Sequence, residues 1–447
     1  MNKHELKITG ALAAIFSFRL LGMFMVLPVL TIYTLSLTGA NSKLIGVALG
    51  IYGITQAILQ IPFGIWSDKI GRKPIIFLGL ILFALGAIIA ANADSIWGII
   101  IGRAIQGSGA ISAAVMAQIS DLIYEQNRTK AMAIIGASIG ASFALSLVLG
   151  PILARWWGLS GIFWFTVFLS ACGILILILV IPNHPPTFND ETNINPTSFW
   201  YLLSNLQLMR LNLGIFILHA LLTATFVVIP LILIGDVGLP KEQHWWIYLT
   251  SVLAGFVLML PIMIYGEKFH HLRLSFITAI IILLSCEIFI YFYHATLTNI
   301  LISLILFFTA FNLLEATLPS LMSKIAPAGN KGSAMGIYAT CQFLGTALGG
   351  VGAGFILQHS NSSVVIFGCI ILAIIWLICA LSMQEPDYLS TLKITLSGYS
   401  KDQSNLIVER VLKLNGVTNA MVNQDKTSLF IKFNSKIIKP ANIEHVI

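Results

Sequence analysis

Five ionisable side chains sit within long apolar stretches of the chain: Arg19, Arg103, His219, Glu287 and Glu315. Charged groups are costly at membrane depth, so such residues are either paired or functional. The two arginines offer fixed positive charge, and the two glutamates offer carboxyls able to take up and release a proton. Glu315 lies between Asn312 and Pro319, among groups suited to line a cavity, and is preferred to Glu287 as a proton carrier. Arg103 reads either as a proton- or solute-facing residue or as a buried structural partner. Arg19 reads either as functional or as a side chain snorkelling from near the end of its helix. His219 reads either as a ligand or as a hydrogen-bonded packing residue. Met23, Phe24 and Met25 beside Pro28, with Thr223, Thr225 and Phe226, suggest a mostly apolar cavity lining; ordinary helix packing is the alternative.

A second group lies between apolar stretches: Gly64-Ile65-Trp66-Ser67-Asp68-Lys69-Ile70-Gly71-Arg72-Lys73. Gly64 would let a neighbouring helix approach closely, and Gly71 would allow a tight reversal. Asp68 is an acid at a helix end, placed to face the positive end of another helix. Lys69, Arg72 and Lys73 alone would be explained by the bias of basic residues to one membrane side, but the fixed combination with Gly and Asp would not.

The elements that must position these groups are long and apolar. Of 447 residues, 57% are hydrophobic and only 10% are charged, and the mean hydropathy is +0.91. Soluble domains carry about 25% charged residues. The composition therefore excludes a soluble enzyme, a disordered chain and a nucleic-acid partner, despite a net charge of +7. Segments at 10–36, 44–66, 74–92, 96–121, 131–154 and 160–182, then 211–235, 245–265, 274–293, 299–323, 332–357 and 363–383, are each long enough to cross a bilayer. The expected fold is an all-α polytopic membrane protein with twelve transmembrane helices. With the N-terminus cytoplasmic, twelve loop and terminal basic residues of this block face the cytoplasm and three, Lys43, Arg155 and Lys241, face outward. Both termini are thus expected on the cytoplasmic side. Lys3 and Lys7 precede an apolar stretch too long for a cleavable signal.

Asn127-Arg128-Thr129-Lys130-Ala131-Met132-Ala133 and Asn330-Lys331-Gly332-Ser333-Ala334-Met335-Gly336 enter the fifth and eleventh segments. The repeat argues for two pseudo-symmetric six-helix bundles, 1–182 and 211–383, joined by a linker, 183–210. The linker begins polar and then carries Phe199, Trp200, Leu202, Leu203 and Leu206, reading as an interfacial helix or as a loop with buried anchors.

Composition changes near Glu385 and Pro386, where a tail with eight basic and six acidic residues begins. Leu392, Ile394 and Leu396 alternate as a strand, and 402–414 has helical spacing at Leu406, Val411 and Leu414 before Asn415-Gly416. Strands follow at 417–423 and 428–433, with Leu429, Ile431 and Phe433 on one face, and Pro440 starts a last helix. The βαββα order over 388–447 suggests a small α+β ferredoxin-like cytoplasmic domain. The five cysteines have neither metal-ligand nor redox spacing, and none lies beyond Cys379, which excludes thiolate metal binding in the tail.

The Gly64–Lys73 decapeptide resembles the signature loop of the major facilitator superfamily at every defining position. Gly102-Arg103-Ala104-Ile105-Gln106-Gly107-Ser108-Gly109-Ala110 resembles the arginine motif of its drug/proton antiporter branch, and Gly136, Gly140 and Gly150-Pro151 resemble that branch's antiporter motif. Ser146 stands where glycine is usual, and Leu153-Ala154 replaces a glycine pair, which weakens the antiporter assignment and not the fold. The segments Phe18–Pro28 and Phe311–Ala316 are similar to a bacterial inner-membrane member with a soluble tail. The tail is more loosely similar to heavy-metal-associated domains, but Ser397-Gly398-Tyr399-Ser400 replaces their Cys-x-x-Cys.

The resemblance implies a secondary transporter of the bacterial inner membrane, exporting small amphipathic or drug-like compounds in exchange for protons by alternating access. It implies that Asp68 caps the eleventh helix, latching the halves in the outward-open state, and that Arg72 pairs with Asp121 at the end of the fourth. Small-molecule solutes, protons and the lipid bilayer are the expected partners. No enzyme constellation, metal or cofactor is expected. The tail is read as a site of self-association, partner docking or ligand gating, or as a passive appendage. Metabolite uptake or uniport, and a non-transporting sensor signalling through the tail, are the rival readings; the intact loop motif argues against the sensor.

Overall fold

The computed structural model describes residues 1–123, 125–182, 201–269, 271–326, 331–383, 389–395, 401–422, 428–434 and 437–444. The aromatic anchors Phe199 and Trp200, the boundary at Glu385 and Pro386, and Ser397–Ser400 lie outside them. Helices dominate, and their starts follow local chemistry. Asn2 and Glu5 form a reciprocal capping box, so span 1 begins at Lys3 and runs to Phe24, with a further turn at Leu30–Tyr33. The side chains of Asn41, Ser95, Asn205, Thr296 and Asn361 each accept from backbone N–H groups that open span 2 (Ser42–Ile70), span 4 (Ile96–Ser108, continued by Ser112–Leu122), span 7 (Leu206–Gly235), span 10 (Leu297–Ile325) and span 12 (Ser362–Leu381). Span 3 is Arg72–Ala91, span 8 His244–Lys268, span 9 Leu272–Tyr293 and span 11 Lys331–His359.

Several boundaries differ from the sequence reading, and in two cases a side-chain cap is the reason. Span 1 starts seven residues before position 10, because the Asn2 cap extends it. Span 7 starts inside the expected linker because Asn205 caps Gln207 and Leu208; the linker's described end is the helical stretch 201–204, with Leu202 buried.

Eleven helical stretches among the described residues are long and apolar enough to cross a membrane, and one of these, Lys130–Val180, has 51 residues. At 1.5 Å per residue that stretch measures roughly 75 Å, over twice a hydrocarbon core. Its helix, Glu125–Val180, breaks at Gly158, whose φ of 65° and ψ of −168° leave helical space. Both flanks return to one end of the bundle: Asn127 donates to Glu5 (2.9 Å to Oε2) at the start of span 1, and Lys73 at the start of span 3 donates to the Ile181 carbonyl (2.7 Å). The helix therefore doubles back as spans 5 and 6, completing twelve.

The end that carries Glu5, Asp68 and Lys73 is here the loop end, and the opposite one the far end. Towards the far end the two halves meet along spans 2 and 11. Gly46, Gly50 and Gly53 face Gly354, Gly350 and Ala347 so closely that a Cβ on Gly50 would lie 2.6 Å from the Ala347 carbonyl oxygen. Only glycine permits that approach. Lys241 also lies 4.4 Å from the Tyr33 ring centroid, linking the halves at the same end. Large apolar side chains such as Ile58, Trp97, Phe168 and Leu179 cover the outer surface.

The tail forms its own apolar cluster around Ile407, Val411, Leu429, Ile431 and Phe433. β1 (Leu389–Thr395) and β2 (Val417–Val422) flank β3 (Ser428–Asn434), each antiparallel to it, with helices Lys401–Leu412 and Pro440–Glu444 in the expected order. The helix buries Ile407 and Val411, four residues apart, while Leu406 is exposed. Val411 and Leu414 thus lie on the inward face as expected, and Ile407 takes the place expected of Leu406.

Candidate functional site at the interface of the halves

A narrow cavity between the halves has a volume of about 10 Å³, about enough for one water molecule. Span 1 supplies Met23, Phe24 and Leu27, and spans 2 and 4 supply Tyr52 and Arg103. The opposite wall comes from span 7 with His219, Leu222 and Thr223, and from span 11 with Thr346. Met25, Thr225 and Phe226 are not among the lining residues. The Met25 carbonyl packs against Gly150, Thr225 bonds to Glu287, and Phe226 packs on Tyr248 and Phe308.

On the first-half wall, Arg103 donates to Gln106 Oε1 (3.3 Å) and lies 4.7 Å from the Tyr52 ring centroid. Arg19 donates to Gln56 Oε1 and lies 6.0 Å from the same ring and 5.6 Å from that of Phe83. Gln56 in turn donates to Gln60 Oε1 at 3.0 Å. The snorkelling alternative for Arg19 is overturned: the earlier start of span 1 places Arg19 sixteen residues into its helix, and it is only 1% exposed.

On the second-half wall, His219 Nε2 is 3.2 Å from Glu315 Oε2. Gln342 Nε2 lies 2.8 Å from the same ring nitrogen and donates to Glu315 Oε1 at 3.3 Å. One ring nitrogen holds either a proton or a lone pair. It can donate to Glu315 or accept from Gln342, so the network has two arrangements that differ in the position of one proton. Glu287 stands apart, accepting from Thr225 Oγ1 at 3.2 Å within the second half.

Gln56, Gln106, Gln342 and Tyr52 were missing from the sequence-derived site. The signal was present, since a glutamine amid apolar residues meets the same cost of burial as a charge.

At the loop end, Gly71 has a φ of 109°, which makes the reversal between spans 2 and 3 a glycine position. Arg72 donates to Asp68, to Ser67 Oγ (2.8 Å) and, through Nε, to Asp121 Oδ2 (3.1 Å). Asp68 is thus bound within its own half, and no hydrogen bond or ion pair joins it to span 11 among the described residues. Lys69 is exposed. Gly64 does not serve a close approach, since a Cβ there would meet Ala113 Cβ at an ordinary 3.6 Å. Gly136 and Gly140 likewise have no neighbouring side chain or helix within 4 Å of such a Cβ, whereas Gly150, followed by Pro151, packs directly on span 1. Of these three glycines, helix packing thus needs Gly150.

The sequence profile of the Major Facilitator Superfamily matches residues 12–240 and 211–395. The chain belongs to the major facilitator superfamily. Within that superfamily it is 45% identical to the inner membrane transport protein YajR of Escherichia coli K12, over all of this chain and 98% of that one. It is 26% identical to the multidrug resistance protein MdtH of Aeromonas salmonicida, over 77% of this chain and 86% of that protein. The solved nucleoside transporter NupG shares the superfamily fold, with a TM-score of 0.68 at 15% identity over 85% of this chain and all of its own. The chain is accordingly a multi-pass membrane transporter.

Proposed function

We propose that this transporter exports small amphipathic compounds across a bacterial inner membrane in exchange for protons. The observation that carries the reading is His219, bound to Glu315 and Gln342, facing Arg103 across a cavity built by both halves. A carboxyl that takes up and releases a proton next to a cavity-lining histidine can link protonation to solute occupancy, because each ligand shifts the equilibrium only through its differential affinity for the two states. Glu315 is the proton carrier in this reading and His219 its partner, while Glu287, off the cavity, maintains packing through Thr225.

With both termini and the loop end cytoplasmic, the contact of spans 2 and 11 closes the external side. Asp68, Arg72 and Asp121 then form the switch: Asp68 exchanges its Arg72 partner for the start of span 11 when the halves rock to the outward-facing state. The tail, as a ferredoxin-like module, is a cytoplasmic docking domain.

The test uses purified protein in liposomes with an imposed pH gradient and amphipathic dyes of either charge. Gradient-driven dye movement is expected, and Glu315→Gln is expected to reduce it at least about tenfold while leaving gradient-independent exchange of dye measurable. Movement indifferent to the gradient would establish uniport, and an unaffected Glu315→Gln protein would remove Glu315 from the mechanism.

A further inference from the structure

The first half holds two guanidinium groups that no carboxylate approaches within 4.0 Å among the described residues. Arg19 is 1% exposed and Arg103 is 2% exposed. Their side-chain acceptors are neutral amides, Gln56 and Gln106. Nε of both, and NH1 of Arg19, are buried without a partner. The face of Tyr52 serves both cations, which offsets only part of the cost of holding them at membrane depth.

The opposing charge cannot balance them. An arginine keeps its proton throughout the physiological range. Glu315, behind His219, is already engaged by that histidine and Gln342 and loses its charge whenever it takes up a proton. Glu287 lies off the cavity, bonded to Thr225. The fixed charge of the cavity is therefore positive, and a planar guanidinium is well matched to a carboxylate, sulfonate or phosphate. Around it the lining is apolar, with Met23, Phe24 and Leu222 near Arg103.

We propose that this cavity, widened when the halves move apart, accepts amphipathic molecules by an anionic headgroup that pairs with Arg103, the apolar body lying against Met23, Phe24 and Leu222. The proposal rests on the transport reading for the cavity being a solute site, and it adds the charge class of the solute. Arg19, one layer behind Tyr52, reinforces the positive field without touching the ligand.

The test compares three probes on one skeleton, naphthalene-1-sulfonate, naphthalene-1-sulfonamide and 1-naphthyltrimethylammonium, binding to the full-length protein in phosphatidylcholine vesicles. The sulfonate is expected to bind at least about tenfold more tightly than either of the others. Arg103→Gln is expected to abolish that preference, and Arg103→Lys to retain part of it; an unchanged unfolding midpoint confirms that both variants fold. Vesicles containing phosphatidylglycerol distinguish the source of the anion. Undiminished sulfonate binding there supports a free solute, whereas competition by the lipid, lost in Arg103→Gln, supports the same site filled by a headgroup. Equal or tighter binding of the ammonium probe, a preference that survives Arg103→Gln, or no sulfonate binding would overturn the proposal. Proton-driven movement of the ammonium probe would sink this inference and leave the transport reading standing. Sulfonate binding without any gradient-driven movement would do the reverse.

Discussion

Arg72 holds three groups at once, and their burial separates what each contributes. Asp121 has a side chain only 5% exposed, so Asp121→Ala is expected to destabilise the protein by about 3 kcal/mol, read as a lower midpoint of thermal unfolding in detergent. Asp68 is 28% exposed, and Asp68→Asn is expected to cost under about 1 kcal/mol while stopping exchange between the two access states. A wild-type transport rate in Asp68→Asn liposomes would count against the switch assignment. Much at this scale was readable beforehand, because a charge inside an apolar run announces itself in one dimension. Arg103 and His219 do line one cavity, with Glu315 bound to the histidine. The partners were not readable: Gln56 and Gln342 act through side-chain geometry across 37 and 123 positions of sequence, which no local pattern encodes.

At the scale of helices, the seam between spans 2 and 11 depends on backbone-to-backbone approach. Gly50→Leu would place a branched side chain where the Ala347 carbonyl now lies, so the far end is expected to remain apart. Spin labels at Lys43 and Gln358, both exposed at that end, would report a longer distance than in the unsubstituted protein. A matching pair of helix-end contacts lies at the loop end. Lys73 donates to the Ile181 carbonyl beyond span 6, and Arg273 donates to the Leu381 carbonyl at the end of span 12, at 2.7 Å in each case. Spans 3 and 9, like 6 and 12, occupy corresponding places in the halves, so the repeat seen in the sequence extends to cation capping of helix ends. Lys73→Met and Arg273→Met are each expected to cost about 0.3–1 kcal/mol, measured as similar small falls in unfolding midpoint. The span positions were legible because hydropathy fixes them. The glycine seam was not, since small residues also occur where nothing approaches, as at Gly136 and Gly140.

For the molecule as a whole, the halves share an architecture and divide the chemistry within the spans, with Arg19 and Arg103 in the first and Glu287 and Glu315 in the second. The tail stands on a separate apolar cluster. Removing residues 389–447 is therefore expected to leave the bundle's unfolding midpoint unchanged. A fall of more than about 4 °C would mean that the tail supports the bundle. The order of strands and helices in the tail was legible from alternation and turn signals, as was the inward placing of Val411 and Leu414, whereas the choice between Leu406 and Ile407 was not, because they are equally apolar neighbours. The reversal at Gly158 bears, finally, on how the protein is made. Spans 5 and 6 meet with hardly any connecting loop, and Trp156 and Trp157 stand exposed beside the turn. No polar stretch is available there to wait in water while one helix settles in lipid. The pair must enter the bilayer during synthesis as a single hairpin, so a defect in either helix would strand both.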